Sequence, residues 1–188
     1  MDDDSLENLD DLGLDTPPEL IDQGIAHLTP LPEDAAEGML FLRASLFLIR
    51  YVQAALTPGR KSAPDDLDQA VHAGEEALTL LRRDEEADPA FETAVLQVVA
   101  EALQSRDAPG DLDRAIDVMA EATRRFPVGS AEWAVAVNGL GDRHLARYTK
   151  HHQAADFAAT EQAIQNAFDA GWPDRPSHRM RHRATRSG

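Results

Sequence analysis

Apolar side chains along this chain recur at three- and four-residue steps, in blocks of helical length rather than in the alternation of strands. The blocks are separated by Pro17-Pro18, Pro30 and Pro32, Pro58-Gly59 with Pro64, Pro89, Pro109-Gly110, Pro127 with Gly129, and Pro173 with Pro176. Together these predict helices at 33–57, 65–83, 89–106, 111–126, 130–148 and 154–170, with Asp65, Asp66, Asp111 and Ser130 as candidate N-caps. Six successive helices predict an all-α fold of about three helix hairpins. Composition points the same way: 31 Ala and 21 Leu stand against 9 Val and 5 Ile, a balance that favours helix over strand.

One block is greasier than the rest. Met39 to Leu56 carries 14 apolar residues in 18, interrupted by Arg43 and Arg50. Two arginines at mid-span are costly in a bilayer, so a buried helix is expected rather than a membrane span. Arg43, Arg50 and Gln53 form one narrow polar stripe, and the remaining circumference needs cover from the same chain or from a second copy. A candidate cover precedes it. In residues 5 to 25, Leu6, Leu9 and Leu12 interleave with acids at roughly helical spacing, the pattern of a docking segment. Arg43, Arg50, Leu6, Leu9 and Leu12 are therefore the candidate residues for arm docking or self-association.

The helical blocks also repeat. Asp66-Leu67-Asp68-Gln69-Ala70-Val71 recurs 45 residues later as Asp111-Leu112-Asp113-Arg114-Ala115-Ile116. A weaker third copy reads Ala159-Thr160-Glu161-Gln162-Ala163-Ile164, with Ala163 placed 48 residues beyond Ala115. In the preceding helices Gln97, Val99, Ala100, Glu101 and Arg106 match Asn138, Leu140, Gly141, Asp142 and Arg147 at a constant offset of 41. Hairpins that repeat in this way bury their apolar faces by stacking on one another.

These positions resemble the tetratricopeptide repeat. Ala115, Met119, Ala122 and Pro127 stand at the spacing of that family's second helix, with Met in place of Phe, and Leu140-Gly141 resembles its first-helix Leu-Gly pair. Ala70 and Ala77 fit the earlier copy, although Gly74 replaces the large residue; Ala163, Ala167 and Ala170 fit the later one. The connection from Thr149 to Ala155 reads as longer than a standard unit permits, and the 45- to 48-residue spacing is similar to the longer repeats common in actinobacterial proteins. The resemblance covers about residues 65 to 171. It implies a right-handed stack of hairpins, a tetratricopeptide-like α-solenoid, with a concave groove for a protein or peptide partner. Carried over residue by residue, the groove positions are Asn138 and Asp142, with Gln97 and Glu101 as their matches. The family's peptide-carboxylate grooves use Lys and Arg; the positions here do not, so basic ligands are favoured over acidic ones.

Charge divides the chain into three parts: an acidic, leucine-bearing arm (1–28), a helical domain (33–171) and a basic tail (172–188) that is expected to be disordered. The formal net charge is −16, with nine acids and no base in residues 1 to 22 and five arginines in the tail. An acidic body excludes nucleic acid as a main ligand, because phosphate binding needs concentrated Lys and Arg. No signal peptide is readable at the acidic N-terminus and cysteine is absent, so the cytoplasm is expected and disulfides and thiol chemistry are excluded.

Little in the sequence points to catalysis. Gly139-Leu140-Gly141 lacks the strand and the lysine of a phosphate loop, and neither a Ser-His-Asp arrangement nor an HExxH motif is present. His144, His151 and His152 with Asp142 form the one local cluster with metal-ligand chemistry, and they are read as exposed residues. The expected function is non-enzymatic: an interaction module, without cofactor, that binds a protein or peptide and self-associates as a homo-oligomer. The alternatives are a small metal-binding protein or enzyme built on the histidine cluster, or the recognition region of a larger signalling or effector protein.

Overall fold

A computed structural model describes residues 13–32, 35–59, 63, 65–84 and 86–170. Among them every regular element is an α-helix: α1 (Pro18–His27), α2 (Glu37–Leu56), α3 (Asp66–Leu81), α4 (Pro89–Arg106), α5 (Asp111–Arg125), α6 (Ala131–His151) and α7 (Ala154–Asp169). The chain divides into two compact units, Met1–Asp111 and Leu112–Gly188.

In the first unit the helices pack consecutively, α1 on α2, α2 on α3 and α3 on α4, with α4 also reaching α2. Helix α1 begins on Pro18, whose fixed φ and missing N–H suit a first-turn position. Its face of Ile21, Ile25 and Leu28 is buried. Gly24 lets it approach α2 closely, since a Cβ there would lie 2.9 Å from Leu46 Cδ1. The stretch before α1 is fixed as well: the Gln53 side-chain amide donates to the carbonyls of Leu14 (3.1 Å) and Thr16 (2.7 Å). Residues 14–28 thus lie on the greasy helix, while Leu6, Leu9 and Leu12 fall outside the described residues, as does the basic tail. Helix α2 is long and apolar enough to cross a membrane by length and composition. Here it is covered by α1, α3 and α4 of its own chain.

Helix α3 is the centre of this unit. Leu67, Ala70, Val71, Ala73, Gly74, Ala77, Leu78 and Leu81 are all buried, more than one face of a helix can hold, because α2 and α4 lie against different sides. Helix α4 starts on an Asp88 cap, whose side chain accepts the Ala90 N–H at 2.9 Å. It stops at Asp107, which adopts the left-handed conformation (φ 53°) and is followed by Pro109-Gly110.

The second unit holds α5, α6 and α7. Ser130 caps α6 as expected, accepting the Trp133 N–H at 3.1 Å. Helix α6 continues three residues beyond the predicted end, to His151, because no proline or glycine interrupts Thr149-Lys150-His151 and the stop is a left-handed His152 (φ 54°). The connection expected from Thr149 to Ala155 shrinks to two residues. Gly139 of α6 faces Met119 of α5, and Gly141 brings α6 against Ala163 of α7.

Candidate interaction surface and the arginine–aspartate clamps

Each predicted hairpin corner carries an arginine near the end of one helix and a buried aspartate at the start of the next. Arg50 donates through Nε and Nη2 to both carboxylate oxygens of Asp66. Arg106 forks onto Asp111 with two contacts of 2.7 Å. Arg147 holds Asp156 through Nε (3.0 Å) and Nη2 (2.6 Å). The three carboxylates are 1%, 4% and 2% exposed, so each needs this compensation to be tolerated inside. Asp66 and Asp111 also accept the backbone N–H three residues upstream, from Ala63 (3.2 Å) and Ala108 (3.1 Å). They hold the connection rather than capping the helix in the usual way, which is where the expected cap role of these aspartates changes.

The same arginines reach a second acid, on the helix before. Arg50 pairs with Asp22 of α1 (3.2 Å), Arg106 with Asp68 of α3 (2.8 Å) and Arg147 with Asp113 of α5 (2.6 Å). Each Asp-Leu-Asp motif therefore has two functions: its first aspartate closes its own corner, and its second links to the following arginine. All three guanidinium pKa values are raised, first by the hydrogen bond to the buried aspartate. The Arg147 guanidinium holds the Asp156 carboxyl below the usual carboxylate range, against the opposing effect of burial, and His144 adds to the lowering. A carboxylate so saturated is a structural acceptor and a poor general base.

The clamps relocate several expected site residues. Arg50 is occupied within its own unit, and Arg43 donates to Gln69 Oε1 at 3.0 Å while lying 5.6 Å over the Phe47 ring. Arg43 also lines an open cleft of about 740 Å³ with Gln69, His72 and Glu76 of α3 and Pro32 of the α1–α2 connection. His144 Nδ1 lies 3.0 Å from Asp156 Oδ1, not beside Asp142, while His151 and His152 are exposed. Among the described residues no group of three or more His, Asp or Glu side chains is arranged to hold a metal ion. Asn138 and Asp142 are exposed one turn apart on α6; Gln97 is exposed and Glu101 half-buried one turn apart on α4. The two pairs belong to different compact units and are each a local surface feature.

The apolar surface of α7 is the feature that the sequence reading missed. Phe157, Ile164 and Phe168 lie at steps of seven and four, on one stripe, and Ile164 and Phe168 are 65% and 78% exposed. Tyr148 of α6 flanks the stripe, its ring 5.3 Å from that of Phe157. The 45-residue register of Asp66, Asp111 and Asp156 shows what this stripe corresponds to. It corrects the third copy: Asp156, not Ala159, begins it, and Thr160 takes the place of Ala115. In that register Ile164 stands where α5 has Met119 and α3 has Gly74. Both of those are buried, Met119 against Gly139 of α6 and Gly74 against Val99 of α4. Ile164 has no such cover among the described residues. No family model matches the chain, and no curated protein or solved structure matches it.

Proposed function

We propose that this chain is a non-catalytic, tetratricopeptide-like interaction module that binds a helix of a partner protein through the exposed face of α7. The observation that carries this reading is the register: at 74 and 119 the equivalent face is covered by the next helix, whereas among the described residues nothing covers Ile164 and Phe168. An apolar stripe on a charged surface, here interrupted by Glu161, marks a place where another macromolecule seats. Its i, i+7, i+11 spacing matches helix-on-helix packing better than an extended peptide. The 45-residue repeat with small residues at the inter-helix contacts supports the tetratricopeptide-like reading. The clamps supply what such a module needs, rigid corners that hold the binding helix in place. The acidic, cysteine-free composition supports a cytoplasmic setting.

Affinity capture from the native cytosol tests this, with wild type beside an Ile164→Glu/Phe168→Glu variant of unchanged helical circular dichroism. Partners identified by mass spectrometry are expected with wild type and lost with the variant. Equal recovery by both refutes the assignment of the surface.

A further inference from the structure

We infer that the cleft between α2, α3 and the α1–α2 connection binds a small monocarboxylate with an apolar body, its carboxylate seated on Arg43. The site lies wholly in the first unit and does not depend on the role proposed for α7. Three observations select this ligand.

First, among the described residues Arg43 has no carboxylate. Arg50, Arg106 and Arg147 each hold two aspartates, whereas the partners of Arg43 are the side-chain carbonyl oxygen of Gln69 (3.0 Å) and the face of the Phe47 ring. Its Nε is buried and has no hydrogen-bond acceptor, so its charge is only partly compensated within the protein. A guanidinium held in this way gains from an anion that meets it on the cleft side, where Arg43 forms part of the wall.

Second, the fold does not require an arginine at this place. Seven residues before the clamp arginine, where α2 has Arg43, α4 has Val99 and α6 has Leu140. Val99 fills the position by packing against Gly74, so an apolar side chain satisfies the repeat. Gln69 is equally particular to the first hairpin: the 45-residue register puts Arg114 and Ala159 in its place. The pair is thus an addition to the repeat, and the cleft opens beside it.

Third, the remaining walls set the body of the ligand. Gln69, His72, Glu76 and Leu80 follow one stripe of α3 over roughly 16 Å, and Leu40 of α2 and Pro32 of the connection complete the lining. Glu76 makes the far end negative, and His72 faces it at 3.7 Å. A second anionic group on the ligand would be repelled there, which excludes dicarboxylates and polyphosphates, while Leu40, Leu80 and Pro32 accept an apolar chain. The cleft is open, so a ligand of about ten heavy atoms binds with a Kd of about 1 mM.

Octanoate is the probe, titrated from about 0.1 to about 10 mM into the full chain labelled with nitrogen-15 and followed by amide chemical shifts. The shifts are expected to saturate and to cluster at residues 29–32, 40–43 and 69–80. Octanol, the same chain without the charge, should bind about tenfold more weakly, and Arg43→Gln should weaken octanoate by about the same factor. His72→Glu changes an exposed side chain and leaves Arg43 in place; it should weaken octanoate and leave octanol unaltered, which keeps the test independent of any folding defect in Arg43→Gln. Ile164→Glu/Phe168→Glu should bind octanoate as wild type does. Shifts confined to α7, equal affinity for octanol, or full octanoate affinity in both Arg43→Gln and His72→Glu overturns the proposal. Binding that appears only in Glu33→Gln/Asp34→Asn also overturns it, because the chain's own acids between Pro32 and Ala35 would then be the partners of Arg43.

Discussion

Two glycines in the middle of helices, Gly74 and Gly139, give opposite responses to the same substitution. Glycine inside a helix costs about 1 kcal/mol relative to alanine, so Gly→Ala stabilises wherever the new methyl has room. At Gly74 it has none. Its Cβ would overlap Val99 Cγ2, and Val99 is 0% exposed and β-branched, held near one rotamer on α4. Overpacking of this kind costs about 1–3 kcal/mol, so after the propensity gain Gly74→Ala should destabilise by about 1–2 kcal/mol. At Gly139 the new Cβ would lie 2.7 Å from Met119 Cε, the mobile end of an unbranched side chain that can swing aside. Gly139→Ala should fall between neutral and about 1 kcal/mol more stable. Urea unfolding followed by far-ultraviolet circular dichroism reads both, and tryptophan fluorescence adds a probe in the second unit, which holds both Trp133 and Trp172. Adding Val99→Ala to Gly74→Ala should recover part of the loss, with a coupling of about 1–2 kcal/mol in the double-mutant cycle. A Gly74→Ala protein as stable as wild type, or a Gly139→Ala protein destabilised as much as Gly74→Ala, would refute the close packing from which these signs are derived.

The clamps and the surface predict more. Asp156 has its pKa lowered in the folded chain, so its stabilisation is present above the ordinary carboxylate value and lost as pH falls through the lower folded value. Melting temperature of the second unit should drop below about pH 4, and in Asp156→Asn this pH dependence should flatten on a baseline about 2–4 kcal/mol less stable. Arg106→Lys keeps the charge but cannot fork onto Asp111 while reaching Asp68; denaturant titration should show a loss of about 1–2 kcal/mol, and a loss within error would show that charge alone suffices. Substituting Asn138 and Asp142 together by alanine should leave stability within about 0.5 kcal/mol and captured partners unchanged, since both side chains are exposed and off the α7 stripe. Loss of partners in that variant would return the binding surface to α6.

Six of the helices are legible because proline and glycine mark their ends and Ala and Leu fill them. Helix α1 is not: Pro17-Pro18 reads as a break, whereas Pro18 opens a helix whose buried apolar face is only Ile21 and Ile25, extended by Leu28 just past its end. The clamps leave a fainter trace. The aspartates keep a fixed register at 66, 111 and 156, but they lie 16, 5 and 9 residues from their arginines because the connections differ in length. Pattern matching in sequence rewards constant spacing, and here only one partner of each pair has it. Aligning the third copy on its alanines, 48 residues on, moves Asp156 out of register and hides both the clamp and the exposed Ile164.

That one-sided regularity bears on the binding role proposed for α7. In α3 and α5 the Asp at the third motif position commits the helix to the arginine that follows it, and the apolar contact at 74 or 119 is made within a geometry already set by charge. In α7 the first aspartate is kept, so the corner at Arg147 is as firm as the others, while the linking position is Ala158. The helix then keeps its corner but, among the described residues, has no ionic link to a following helix. Reintroducing the link separates these two properties: Ala158→Asp should leave the Arg147–Asp156 corner and the melting temperature unchanged. It should also place a carboxylate beside the exposed stripe of α7, weakening partner capture at low salt and less so at high salt, where screening shortens its reach. Affinity capture at the two salt concentrations reads this directly. An Ala158→Asp chain that captures partners as well as wild type at low salt would mean that position 158 lies away from the proposed binding face.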